Sequence, residues 1–219
     1  MMYNIIKKYC ENENTNGLFL IDMPTGFGKT YSVLKYISDA CNEEKNAKRK
    51  YFFITPLKKN LPVNELKKFF DETLKTKNFS EKVLVIKSNV EMVMENYPKI
   101  VDSIPDDIKK TPEYEKLSSK LFFLKKYSHN SQMREIYEES EYNFRIKIEP
   151  AFRKMLMKKL SGEFRKNKKS KLYAVKTDKK WQWLGKLYPT VFTDDYQIYF
   201  MSMDKFITRN STIVEPSYM

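Results

Sequence analysis

The stretch Leu18-Phe19-Leu20-Ile21-Asp22-Met23-Pro24-Thr25-Gly26-Phe27-Gly28-Lys29-Thr30 decides how the chain is read. Leu18 to Ile21 is a continuous apolar run, the pattern of a parallel strand buried on both faces. Pro24 to Gly28 breaks that run. Lys29-Thr30 then opens a helical pattern in which Val33, Leu34, Ile37 and Cys41 share one face. Glycine tolerates the positive φ that turns backbone N–H groups inward, so a loop with glycines at 26 and 28 can line itself with donors. With a helix N-terminus behind it, such a loop is a site for phosphates. The expected nucleotide-binding residues are Pro24, Thr25, Gly26, Phe27, Gly28, Lys29 and Thr30. Lys29 would reach the β- and γ-phosphates, and the Thr30 hydroxyl would coordinate Mg²⁺.

Outward from this stretch, strands and helices alternate. Tyr51-Phe52-Phe53-Ile54-Thr55 reads as a second strand ending at Pro56, and Leu61 to Leu74 as a helix with Leu66, Phe69, Phe70 and Leu74 inward. Val83 to Ile86 reads as a third strand, followed by a helix capped by Ser88 or Asn89. That rhythm is the mark of a parallel α/β sheet with crossover helices. Upstream, Ile5, Ile6 and Tyr9 share a side of a short amphipathic lead. From about Tyr97 to residue 180 the patterns are helical: Leu117, Leu121 and Leu124; Ile136, Phe144 and Ile148; Phe152, Leu156, Leu160 and Phe164. The sheet resumes with Gln197 to Met201, followed by Ser202-Met203-Asp204-Lys205. The expected organisation is therefore 1–96, a first part of an α/β domain; 97–187, a helical, basic insertion; and 188–219, a return to the sheet.

The general phosphate-loop pattern is G-x-x-x-x-G-K-[ST], but Met23 stands at the first glycine position. Pro24-Thr25-Gly26-Phe27-Gly28-Lys29-Thr30 instead resembles motif I of the superfamily 2 helicases and translocases, the DEAD/DEAH-box and type III restriction subunit-like group. That resemblance implies the N-terminal part of a RecA-like ATP-binding domain, of the P-loop NTPase type, with ATP and Mg²⁺ as cofactors. The strand end at Thr55-Pro56-Leu57 resembles motif Ia, which implies nucleic-acid backbone contacts by Thr55, Lys58, Lys59 and Asn60. Ser202, Asp204 and Lys205 resemble a later strand-end element of the same family. No glutamine precedes Gln132, so the upstream glutamine by which DEAD-box proteins read adenine has no counterpart.

Composition agrees with a polyanionic partner. The 219 residues carry a formal net charge of +13, with a pI near 9.4. The charge concentrates between Arg153 and Lys180, where twelve basic residues stand against Glu163 and Asp178, a net of +10. Trp181 and Trp183 follow at once. Lysines neutralise phosphates and exposed aromatics stack on unpaired bases, so Lys166, Lys168, Lys169 and Lys171 are candidate nucleic-acid contacts. The expected partner is single- or double-stranded DNA rather than RNA, with other subunits of a defence or restriction complex besides. Two isolated cysteines and one histidine, His129, exclude a zinc cluster, a disulfide framework and a histidine-based triad. No signal peptide and no run of about 18 apolar residues is present, so the expected location is the cytoplasm, without a membrane.

Hydrolysis needs a carboxylate on the metal and a base for the attacking water. In the resembled family an Asp-Glu pair at a strand end supplies both. Asp194-Asp195, after Val191 and Phe192, is the only acidic pair in a comparable setting. The chain is expected to stop before that strand and before a second motor domain, so that hydrolysis belongs to a longer parent protein. Two other readings remain at this stage: a non-enzymatic nucleic-acid-binding protein that retains the phosphate loop, and a small P-loop phosphotransferase.

Overall fold

The computed structural model describes residues 2–12, 17, 20–74, 79–128, 130–164 and 168–207. Chain contacts divide it into one unit of residues up to Val85 together with Asp195–Ile207, and a second unit, Ile86–Asp194.

The first unit holds helices α1 (Met2–Glu11), α2 (Lys29–Ala40), α3 (Val63–Leu74) and α4 (Phe79–Lys82), strands β1 (Tyr51–Thr55), β2 (Val83–Val85) and β3 (Ile198–Ser202), and, following β3, helix α12 (Met203–Ile207). The three strands form a parallel sheet in the order β1-β3-β2. Tyr51 lies opposite Ile198 and Thr55 opposite Ser202, while Val83 lies opposite Ile198 on the other side. The last strand in sequence is thus the central one. Gln197 fixes its register. Its N–H donates to the Lys82 carbonyl (3.0 Å), its carbonyl accepts from the Tyr51 N–H (2.8 Å), and its side-chain amide donates to the Asn46 carbonyl (2.8 Å).

Side chains alternate across a strand, and one face of the sheet carries Val83, Ile198 and Phe200 into a core with Met2 and Ile6 of α1, Leu34, Ile37 and Ala40 of α2, and Leu66 and Phe70 of α3. On the opposite face Phe52 stacks on Tyr199, with ring centroids 4.7 Å apart. Cys41 belongs to the core, and burial pushes its thiol up to about 12, against the lowering influence of Lys82. Burial raises the Cys10 thiol as well, so neither is a thiolate at neutral pH.

One strand expected from sequence is not formed. Leu18 and Phe19 lie outside the described residues, and residues 20–23 take no strand pairing. Ile21 and Met23 pack against the core, whereas Leu20 is 81% exposed. The segment is half-buried through Ile21 and Met23 only, and among the described residues no neighbouring strand offers it a ladder. The strand expected at 83–86 ends at Val85, and the one expected at 197–201 runs from Ile198 to Ser202.

The second unit is helical: α5 (Asn89–Ile100), α6 (Asp106–Lys109), α7 (Pro112–Tyr127), α8 (Arg134–Asn143), a π-helical turn (Phe144–Ile148), α9 (Glu149–Glu163), α10 (Lys168–Thr177) and α11 (Gln182–Leu187). Ser88 and Glu91 close a reciprocal capping box at the start of α5. Leu117, Leu124, Phe144, Phe152, Leu156 and Leu160 fill the core as the heptad-like spacing predicts. Ile136 does not, and stands 50% exposed. Glu149 is buried at the join of the π turn and α9. It accepts from Arg153 (3.0 Å) and from the buried Tyr188 hydroxyl (2.9 Å). Burial, and then the neighbouring carboxylate, hold that tyrosine well above its usual range.

Removing one member of a buried ionic group strands the others. Glu149→Ala is therefore expected to lower stability by about 3 kcal/mol in urea unfolding, and Glu149→Gln by less, because the amide oxygen still accepts from Tyr188.

Candidate nucleotide-binding site

The loop ahead of α2 takes the conformation its glycines permit. Gly26 has φ 92° and Gly28 has φ 69°. Gly28 is the N-cap of α2 in the left-handed region, and no side chain caps the helix. The first backbone bond into α2 runs from the Ser32 N–H to the Gly28 carbonyl (2.9 Å). The N–H groups of Lys29, Thr30 and Tyr31 have no acceptor within the helix, as at any helix start. Bare donors of that kind, at the positive end of the helix dipole, suit an anion.

Lys29 stands at this helix start. Its ammonium donates to the Pro24 carbonyl at 3.0 Å and to the Met23 carbonyl. Both acceptors are neutral and belong to the loop itself, so among the described residues no carboxylate holds this cation. Thr25, Phe27 and Thr30 are exposed around the same loop. These residues fit a nucleoside triphosphate: donors and an ammonium for the phosphates, and the Thr30 hydroxyl for a Mg²⁺ carried with them. Mg²⁺ characteristically keeps substrate phosphates and waters among its ligands. Among the described residues no group of three His, Cys, Asp or Glu side chains is placed to hold a metal.

Asp194-Asp195 ends a 3₁₀ segment, Pro189–Asp195, ahead of β3. That is the N-terminal edge of a parallel sheet, whereas open α/β sheets bind ligands beyond the carboxyl ends of their strands. At the opposite edge the structure brings two separately noticed elements together. Thr55 and Ser202 are direct partners at the ends of β1 and β3. Exposed Lys58 and Lys59 follow Thr55 in a single 3₁₀ turn with Asn60, and α12 with Asp204 and Lys205 follows Ser202. The Thr55 hydroxyl bonds to the Leu57 carbonyl (2.8 Å), fixing the turn.

The tryptophans are not base-stacking platforms. Trp181 and Trp183 are buried, with indole N–H groups donating to Glu163 and to the Lys180 carbonyl, each at 2.8 Å. Partial burial pushes the Glu163 carboxyl up, but the bonds from Lys180 and Trp181 outweigh it and hold the group below its usual range. Lys166 lies outside the described residues. Lys168 and Lys169 open α10, and Lys171 donates to Ser161 (2.9 Å). Tyr31 was missed from sequence because the helical pattern places it on the outer side of α2. It is 59% exposed beside the loop, with its ring 5.0 Å from that of Phe69.

Comparison with protein families matches residues 1–148 to the type III restriction enzyme, res subunit. The chain belongs to that family. Its three-stranded parallel sheet and phosphate loop accord with the N-terminal part of a superfamily 2 helicase-type, RecA-like ATP-binding domain. A domain of this type uses ATP, usually with Mg²⁺, and the family is one of nucleic-acid-binding proteins. No curated protein matches the chain. Among the described residues, no helix is long and apolar enough to cross a membrane.

Among the described residues, beyond the immediate chain neighbours and the helix's own backbone, nothing lies within 4 Å of a β-carbon built at Gly28, so its requirement is conformational. Gly28→Ala is expected to cost about 1–2 kcal/mol in chemical denaturation, and Gly28→Asn less, since asparagine tolerates the left-handed region. A cost that rose with side-chain volume instead would point to crowding.

Proposed function

We propose that residues 24–30 bind ATP with Mg²⁺, and that the chain is the nucleotide-binding portion of a nucleic-acid-dependent superfamily 2 helicase or translocase, active as a motor in its full-length parent. The observation that carries this reading is the uncapped start of α2 behind two positive-φ glycines, with the Lys29 ammonium resting on loop carbonyls. On binding, Lys29 leaves the Pro24 and Met23 carbonyls for the β- and γ-phosphates. The Thr30 hydroxyl would hold Mg²⁺, whose charge would offset that of the phosphates. The loop N–H groups orient the phosphate chain without reorganising, because the glycines have already set the backbone.

In the same reading the partner is DNA, tracked by Thr55, Lys58 and Lys59 at the carboxyl edge of the sheet and by the basic stretch holding Lys166, Lys168, Lys169 and Lys171. The adjacency of Thr55 and Ser202 supports the first of these surfaces. Family membership favours this account over a small phosphotransferase.

Bonds to charged groups contribute about 1.5–3 kcal/mol each, or roughly ten- to a hundredfold in affinity. Lys29→Ala is expected to weaken binding of a fluorescent ATP analogue by that factor while circular dichroism stays unchanged. Unaltered affinity would remove the site.

A further inference from the structure

The basic segment does not present its charge evenly. Arg153 is committed to Glu149, Lys159 to Asp107 and Lys180 to Glu163. Lys171 bonds to Ser161, and Lys176 lies over the Phe192 ring at 5.5 Å. Lys154 and Lys158 have no such commitment. They stand exposed one turn apart on α9 and line an open groove of about 640 Å³ with Met155, Ala151 and Glu113. A second hollow of about 460 Å³ shares Glu113 and Ala151 with the first, and continues it past Ile148 to Lys147 of the π turn and Lys116 of α7.

The two form one trough between the first turns of α7 and the α9 face. Its floor is apolar: Ala151, Met155 and Ile148. Its rim carries Lys116, Lys147, Lys154 and Lys158, all exposed and, among the described residues, without a carboxylate partner. Glu113 is the one carboxylate on the wall, and Lys159 at the far end is the lysine already paired. Four exposed ammonium groups along a trough with Glu113 on its wall make a positive field that suits a polyanion. At 1.5 Å rise per residue, Lys154 and Lys158 are about 6 Å apart along the helix and Lys147 about 10 Å further back, a spacing that suits successive charges on an extended strand. The apolar floor adds a surface for unpaired bases, which a duplex with its bases stacked inside would not use.

We propose that this trough of the helical unit is a binding site for a single strand of nucleic acid, with phosphates on Lys116, Lys147, Lys154 and Lys158 and bases over Met155, Ala151 and Ile148. It rests on the reading of the chain as a nucleic-acid-binding protein, and joins Lys154 and Lys158 of the basic segment to Lys116 and Lys147, which lie outside it.

The test is fluorescence anisotropy of a labelled single-stranded oligonucleotide, DNA and RNA in separate arms, titrated with the whole chain over a range of salt. K147Q/K154Q/K158Q is expected to bind more weakly and to lose about 2 from the log–log salt slope, about 0.7 for each phosphate contact on a single strand. K99Q/K109Q/K110Q removes equal charge from the same unit and is expected to keep the parent slope. Ala151→Glu, at an exposed helical position, is expected to weaken single-strand binding more than binding of a hairpin duplex. A groove variant with the parent slope, or equal losses in both triple variants, overturns the site while leaving nucleic-acid binding in place. Tighter binding of duplex than of single strand by the parent chain overturns the single-strand assignment. A parent chain that binds neither overturns the underlying reading and this inference together, and retained ATP binding in that sample would leave the nucleotide site standing.

Discussion

The insertion of β3 between β1 and β2 is the interaction on which the first unit depends. β1 and β2 are not partners; among the described residues each is hydrogen-bonded only to a strand that arrives after residues 86–197 have been traversed. Closing so long a loop costs less than its length suggests, because the entropy grows with the logarithm of loop length. The gain is a strand buried from Ile198 through Met201 and a shared core under α1, α2 and α3. Gln197, bonded to Lys82, Tyr51 and Asn46, sets the register that puts Phe200 into that core. A slip of one residue would turn Phe200 and Ile198 to the other face.

The phosphate loop obeys a more local rule. Its shape follows from two glycines at positive φ and a helix that begins without a side-chain cap. Lys29 rests on the neutral carbonyls of Met23 and Pro24, which carry no counter-charge for its ammonium.

In the helical unit, charge is sorted by pairing. Glu149 and Glu163 lie where Arg153, Tyr188, Trp181 and Lys180 can satisfy them. A buried carboxylate without such partners would be costly. Of the committed cations only Arg153 is drawn inward, by the buried Glu149; Lys159 and Lys180 meet their carboxylates at the surface, where Lys154 and Lys158 also stand. A count of charge along the sequence contains the total but not this division.

The sequence by itself determined whatever depends on neighbours in the chain: the glycine loop and Lys29-Thr30, a helix cap at Ser88 or Asn89, the three strands of the sheet and the leucine and phenylalanine stripes of α7 and α9. Each rests on backbone preference or on periodicity within a few residues. Only the tertiary structure decided that the last strand is the central one, and that Thr55 and Ser202 meet at one edge. It also decided that Leu20 faces out, that both tryptophans are buried, and that Lys116 and Lys147 join Lys154 and Lys158 around one trough. Those outcomes depend on which distant segment supplies the hydrogen-bond ladder, the buried contact or the opposite charge, and periodicity along a chain carries no record of that choice.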